Sequence, residues 1–149
     1  MKNKWSDYFM DVAIRTSELS YCERLKVGAV AVRDNRILLT GFNGTPPGDD
    51  NCCEDTILVG NMSGGFDSVL ATKNDVSHAE ENLITFAARD GIKIKGCGLF
   101  ITHAPCIHCS KLIRNAGFEY VVFNELYKCN TGIEYLTKNK IPVYKFSDL

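Results

Sequence analysis

With 149 residues, 45% of them hydrophobic, the chain has the size of one ordinary domain and enough apolar side chains to bury a core. Its 17 basic and 18 acidic residues leave a net charge of −1, so no broad positive field would hold a nucleic acid strand, whereas a small phosphorylated ligand needs only a local pocket. No apolar run approaches the roughly 20 residues needed to cross a bilayer, so the expectation is a soluble protein with no membrane partner.

Trp5, Tyr8, Phe9, Val12, Ala13 and Leu19 recur at helical spacing and predict a first helix laying one face on a core. The chain opens directly into that pattern, so no leader is expected, and its seven cysteines read as reduced thiols in a cytoplasmic protein, the host cytoplasm if the source is viral. Residues 27–32 and 37–42 are β-rich runs split by Arg33-Asp34-Asn35-Arg36, a hairpin. From 44 to 77 the pattern breaks down around Pro46-Pro47-Gly48-Asp49-Asp50, Gly60, Gly64 and Gly65. That stretch reads as a long functional or mobile loop, with room for a short helix.

A second helix is predicted from 78 to 90, carrying Leu83, Ile84, Phe86 and Ala87 and stopped by Asp90-Gly91. Residues 97–102 read as a buried strand. Pro105 in a first helical position and Gly117 as a stop define a third helix over 106–116. Strands at 120–123 and 141–144 flank a last helix near 133–138. Strands alternating with helices predict one α/β domain over 1–149: three α/β/α layers around a central mixed sheet of about five strands, an opening hairpin and then parallel strands.

The chemistry lies at two helix starts. Ser77-His78-Ala79-Glu80-Glu81-Asn82 is followed, 28 positions after the histidine (106 − 78), by Cys106-Ile107-His108-Cys109. One imidazole and two thiolates suit Zn²⁺ and leave a fourth tetrahedral position open, which distinguishes a catalytic site from a closed structural one. Glu80, two residues past His78, is free to carry protons between water and substrate. This is the H-x-E, P-C-x-x-C arrangement of zinc nucleobase deaminases. Each half also has a plainer reading: Ser77-x-x-Glu80 fits a helix capping box, and Cys106-x-x-Cys109 fits a redox pair. Together, at this separation, they favour zinc. Placement at a helix N-terminus favours thiolate over thiol. His103 and His108 fit no ligand role and are read as structural.

Further blocks carry a family likeness. Lys26-Val27-Gly28-Ala29-Val30, Thr40-Gly41-Phe42-Asn43-Gly44-Thr45-Pro46, His78-Ala79-Glu80-Glu81-Asn82 and Phe86-Ala87-Ala88-Arg89-Asp90-Gly91 occur in the order seen in the cytidine and deoxycytidylate deaminase superfamily. The chain resembles in particular the dCMP deaminases of bacteria and phages, from about Trp5 to Tyr144. That resemblance implies zinc-dependent hydrolysis of dCMP to dUMP and ammonia, with Glu80 as proton shuttle and dUMP supplied for dTMP synthesis. It implies a substrate site at Asn43 on the deoxyribose side, Ala79, Tyr127 near the nucleotide, and the backbone carbonyl of Ala104 facing the exocyclic amine. Arg24, Lys26 and Asn82 are candidates for the 5′-phosphate and sugar.

The resemblance further implies a homohexamer regulated by dCTP and dTTP, with Mg²⁺ accompanying the effector. Arg24, Lys26, Gly28 and Asn43 lie in the blocks matching the regulatory region, and Phe86 and Arg89 on a helix expected near subunit contacts. Some phage members carry a second, structural zinc on cysteines matching Cys22 and Cys52. The 44–77 stretch has no histidine to complete such a set, so Glu54 or Asp55 would have to serve, and small buried thiols are the preferred reading. The rival activities are a dual dCMP/dCTP deaminase or a deaminase of another cytosine nucleoside or nucleotide, or of a tRNA adenosine. A zinc-stabilised nucleotide-binding module without turnover is the non-enzyme alternative.

Overall fold

Helix α1 (Lys4–Ser17) begins where the Asn3 carboxamide accepts hydrogen bonds from the backbone N–H groups of Trp5 and Ser6, a side-chain N-cap. The computed structural model describes residues 3–149. The buried face of α1 is Phe9, Met10, Ala13, Thr16 and Ser17. Trp5 and Tyr8 remain 39% and 50% exposed and Leu19 lies past the helix end, so the core-facing stripe is rotated from the one the aromatic spacing predicts.

Strands β1 (Gly28–Arg33) and β2 (Arg36–Phe42) form the expected hairpin, turning through Asp34 and Asn35, both at positive φ. After them come β3 (Glu54–Gly60), β4 (Phe66–Thr72), α2 (Ala79–Asp90), β5 (Gly98–His103), α3 (Ile107–Ala116), β6 (Tyr120–Glu125), α4 (Thr131–Lys138) and β7 (Val143–Lys145). Five strands make the central sheet in the order β2-β1-β5-β6-β7: β1 is antiparallel to both neighbours, and β5, β6 and β7 run parallel. The sheet is mixed and lies between helices.

Alternation along the strands divides the core. Val30, Val32, Phe100 and Val122 pack with Phe9, Met10 and Ala13 of α1 on one face. Ala29, Ala31, Leu99, Ile101, Val121 and Phe123 face the other way, against Ala79, Leu83 and Ala87 of α2, Ile113 of α3 and Leu136 of α4. Covered on both sides, β1 and β5 are buried almost end to end, as the strands at the centre of a three-layer sandwich should be.

Close approach of helix to sheet sets where the helix ends sit. A Cβ on Gly28 would lie 2.1 Å from the Ala13 carbonyl oxygen, and one on Gly41 would lie 2.6 Å from that of Ala79. Both obstructions are backbone, so neither can swing aside. Gly28 therefore serves the packing of α1 on the sheet. Gly28→Ala is expected to cost about 1–3 kcal/mol through overpacking, read as a lower denaturation midpoint in urea; an unchanged midpoint would show that α1 yields freely.

The 44–77 stretch is neither structureless nor helical. Gly44 and Ser77 exchange backbone hydrogen bonds and close its base. From there β3 and β4 project as a two-stranded antiparallel ribbon, its tip tied by the Asn61 carboxamide to the N–H groups of Ser63 and Gly65. An isolated hairpin is marginal in water, and this one is anchored at its root. Cys22 is disulfide-bonded to Cys53, the Glu54 carboxylate accepts from the N–H groups of Glu23 and Arg24, and Arg24 Nη1 donates to Thr72 Oγ1 at 3.0 Å. The bonded pair corrects the expectation that all seven cysteines are reduced.

Candidate active site

The starts of α2 and α3 meet at the C-terminal end of β5. His78 is the N-cap of α2 and Cys106 the N-cap of α3, with Cys109 in the first turn. The helix thus begins at Ile107, and Pro105 lies outside it. The Cys106 sulfur accepts the Cys109 N–H at 3.4 Å and itself caps the helix. Ser77 sits outside the cap and α2 has no side-chain cap bond, which removes the capping-box reading and leaves Glu80 free. Cys106 and Cys109 are free thiols, not a disulfide.

His78 Nδ1 lies 3.7 Å from Cys106 Sγ and 3.3 Å from Cys109 Sγ, and the three donor atoms all fall within 4.8 Å of one another. Tetrahedral zinc, with bonds of about 2.0 Å to nitrogen and 2.3 Å to sulfur, holds N and S roughly 3.5 Å apart. The donor set and its spacing fit that ion. Electrostatics agree. The Cys109 thiol, hydrogen-bonded to Cys106, brings the Cys106 thiol down to about 3, with help from His78. The same bond, together with burial, pushes Cys109 up, and the Cys106 sulfur raises His78 to about 8.

Glu80, 4% exposed, is the second residue of α2. Burial lifts its carboxyl from 4.5 to about 7, only partly opposed by its own backbone N–H and by His78. A carboxyl poised there can both take and give a proton near neutrality. His78, Ala79, Glu80, Ala104 and Cys106 form the floor of a cavity. Its rim comes from distant sequence: Arg24, Asn43, Glu54, Thr72, His103 and Tyr127.

The model of the cytidine and deoxycytidylate deaminase zinc-binding region matches residues 3–125. The chain belongs to this family. A deoxycytidylate deaminase of Mycobacterium phage D29 is 40% identical over 121 residues, covering 80% of this chain and 93% of that protein. The deoxycytidylate deaminase of Enterobacteria phage T4 is 31% identical over 151 residues, covering 81% and 78%. The crystal structure of the dCMP deaminase of cyanophage S-TIM5, in complex with dCMP and dUMP, superposes with a TM-score of 0.83 at 37% identity over 97% of this chain and 98% of that one.

The other residues expected of a deoxycytidylate deaminase divide between two cavities. Arg24, Asn43, Ala79, Ala104 and Tyr127 line the cavity above Glu80. Asn43 is also a strut: its Oδ1 accepts the Val27 N–H at 2.8 Å and its Nδ2 donates to the Leu25 carbonyl at 2.7 Å, leaving one amide hydrogen for a ligand. Asn82 instead donates to the Phe42 carbonyl and lines a second cavity behind the β2–α2 contact, together with Tyr21 and Phe86. Arg89 lies 4.8 Å over the Phe86 ring and pairs with Asp90. Lys26 is exposed and lines neither cavity.

The resemblance pointed to Cys22 and Cys52 as possible ligands of a second zinc, and Cys53 is the cysteine that lies against Cys22. Cys53 is the buried partner, while Cys52 is exposed and free. Cys22 is bonded to Cys53, Glu54 accepts from the N–H groups of Glu23 and Arg24, and the ligand atoms of Cys22, Cys53 and Glu54 all lie within 4.8 Å of one another, so any second cation set here would use Cys53 in place of Cys52. Sequence reasoning also missed His103, Glu54 and Thr72 on the cavity rim. No local pattern marks them. His108 is exposed, with its Nε2 3.6 Å from Glu81 Oε1.

Proposed function

We propose that the protein is a zinc-dependent deaminase that hydrolyses dCMP to dUMP and ammonia. The observation that carries this reading is a buried carboxyl, Glu80, raised to about 7 at the floor of a cavity beside a three-donor cluster that fits zinc. The likeness to phage deoxycytidylate deaminases supports the choice of nucleotide. His78, Cys106 and Cys109 would hold the ion, which when bound brings water toward its ionised form at neutral pH.

Glu80 takes a proton from the attacking water on a carboxylate oxygen and delivers it to ring N3 as oxygen adds to C4. It then carries a second proton to the departing amine, so that water and dCMP are consumed and ammonia and dUMP released. The Ala104 carbonyl and Ala79 contact the base, Asn43 the deoxyribose, and Tyr127 packs beside the nucleotide. Low exposure of this floor excludes bulk water, which favours a single carboxylate in both roles.

The same reading has the 1–149 chain act as one domain within a cytoplasmic homohexamer, supplying dUMP for dTMP synthesis. It includes activation by dCTP with Mg²⁺ and inhibition by dTTP. Two cavities sharing Asn43 on their walls support regulation, because an effector in one could alter the other. The test is an ammonia-release assay on dCMP, dCTP, deoxycytidine and CMP, with and without dCTP and dTTP. The fastest turnover is expected on dCMP, with sigmoidal kinetics made hyperbolic by dCTP. Equal rates on dCTP would favour the dual-substrate reading, and no release from any of the four would leave a binding module.

A further inference from the structure

Helix α4 carries none of the three donor atoms, yet its second residue bears on one of them. Gly132 and Leu136, one turn apart, are the buried side of that helix. Gly132 is not among the glycines at positive φ, so the position makes no use of glycine's freedom. Glycine is also a poorer helix former than alanine. Its presence calls for a steric reason.

The start of α3 supplies one. A Cβ on Gly132 would lie 2.1 Å from the Pro105 carbonyl oxygen, 2.9 Å from the Cys106 carbonyl carbon and 2.7 Å from Ser110 Oγ. Ordinary contact begins at 3.4 Å, so an alanine here needs the two segments to part by 1.3 Å (3.4 − 2.1). Two of the three obstructions are backbone, and the third belongs to Ser110, which is fully buried. Helix α4 is keyed into the core by Leu136, fully buried in the same cluster as Ile113 of α3. Pro105 and Cys106 lie instead in the short link, 104–106, between His103 at the end of β5 and Ile107 at the start of α3. The link is the part that yields.

A shift matters most at Cys106. Its sulfur is one of the three donors within 4.8 Å of one another and also accepts the Cys109 N–H. Metal–ligand distances hold to about 0.2 Å, several times less than the parting an alanine demands. We propose that Gly132 is a positioning residue for Cys106: its bare Cα seats α4 on the Pro105–Cys106 peptide and so sets where the Cys106 sulfur stands in the cluster. This rests on the zinc reading above. The other half of the cluster is seated in the same manner, by Gly41 against the Ala79 carbonyl between His78 and Glu80.

The test measures zinc affinity of the full-length protein by competition with a chelator. The visible spectrum of the cobalt-substituted protein reports ligand geometry, and urea melts of the metal-free protein report stability. Gly132→Ala is expected to weaken zinc about 10- to 100-fold, the range for residues that support a metal ligand, and to change the cobalt spectrum. Gly28→Ala is the matched control, because its Cβ meets a backbone carbonyl oxygen at the same 2.1 Å, but on α1, across the sheet from the cluster. It should lower the urea midpoint and leave zinc affinity within about twofold, since it touches no residue next to a ligand. A Gly132→Ala protein that lost stability as Gly28→Ala does, with zinc affinity and cobalt spectrum unchanged, would overturn the assignment. Should Gly132→Ala fail to fold, Leu136→Val, which lets α4 retreat, carries the same test against Val30→Ala on the α1 face. Zinc affinity should drop about threefold or more in the first, a milder form of the same loss, and hold in the second; equal effects, or none, would overturn the proposal. Zinc is read without turnover, so a wild type that binds it and leaves dCMP unchanged would refute the function above while Gly132 is still judged on affinity.

Discussion

Glu80→Gln is expected to lower kcat for deamination by about a thousandfold or more, toward the upper end of what a positioned acid–base group supplies, with zinc content and dUMP affinity intact. Glutamine keeps the size and the burial but cannot exchange a proton. A variant retaining a tenth of the wild-type rate would overturn the assignment of the shuttle. The substitution should also stabilise the metal-free protein, and the sign follows from the carboxyl being raised to about 7 by burial. Folding favours its protonated form, so the contribution of Glu80 to stability is fully present below pH 4.5 and lost as pH rises through about 7. Glutamine is never charged. In urea melts the metal-free variant should match the wild type at pH 4.5 and exceed it at pH 8 by on the order of 2–3 kcal/mol, an upper bound for a carboxyl that can rearrange toward water. The site therefore carries a stability cost at working pH that is explained by its chemistry.

What sequence made legible, and what it hid, follows from where each residue's partners lie. His78, Glu80, Cys106 and Cys109 could be read because each helix carries its own part of the cluster at fixed spacing, and Gly91 and Gly117, both at positive φ, mark the helix ends as expected. Central-sheet strands could be read because two covered faces demand nearly continuous apolar runs. The β3–β4 ribbon was obscured for the opposite reason: it is exposed on both faces, with Leu58 70% and Phe66 72% accessible. Its β-branched residues have no core to alternate against. Prolines and glycines around it suggested irregular chain, although Gly64-Gly65 in fact serves a hairpin turn.

The cavity rim was hidden by distance along the chain. Glu54 acts on Glu23 and Arg24 across 31 and 30 positions, Arg24 on Thr72 across 48, and Gly28 on Thr102 across 74. No spacing rule reaches that far. Composition does not decide between adjacent cysteines either; Cys53 rather than Cys52 faces Cys22, and that follows from the side of the chain each occupies on entering β3. Lys26 was a candidate because it is basic and opens one of the blocks that carry the family likeness. Its neighbour Val27 is held by Asn43, and Lys26 itself turns to solvent.

Cys109→Ser separates the metal from the shuttle. Cys109 is fully buried, and its sulfur is one of three donor atoms within 4.8 Å of one another. Serine places at that position a hydroxyl that is smaller than the thiol and far harder to ionise, so zinc affinity is expected to fall by more than about 100-fold, beyond the effect of losing a supporting contact to a ligand. Turnover should fall with metal content, in contrast to Glu80→Gln, which loses turnover while keeping its zinc. In the wild type, His78 is raised to about 8 and Cys109 is held protonated by Cys106 and burial, so metal uptake must release protons. Affinity should therefore decline as pH drops below about 8 and the imidazole fills with its second proton. Competition with a chelator at several pH values, read beside metal analysis of both variants, checks each point. A Cys109→Ser protein with stoichiometric zinc and wild-type turnover would remove this sulfur from the site, whereas loss of both, with Glu80→Gln still loaded, would leave the ion and the proton shuttle as separable parts of one centre.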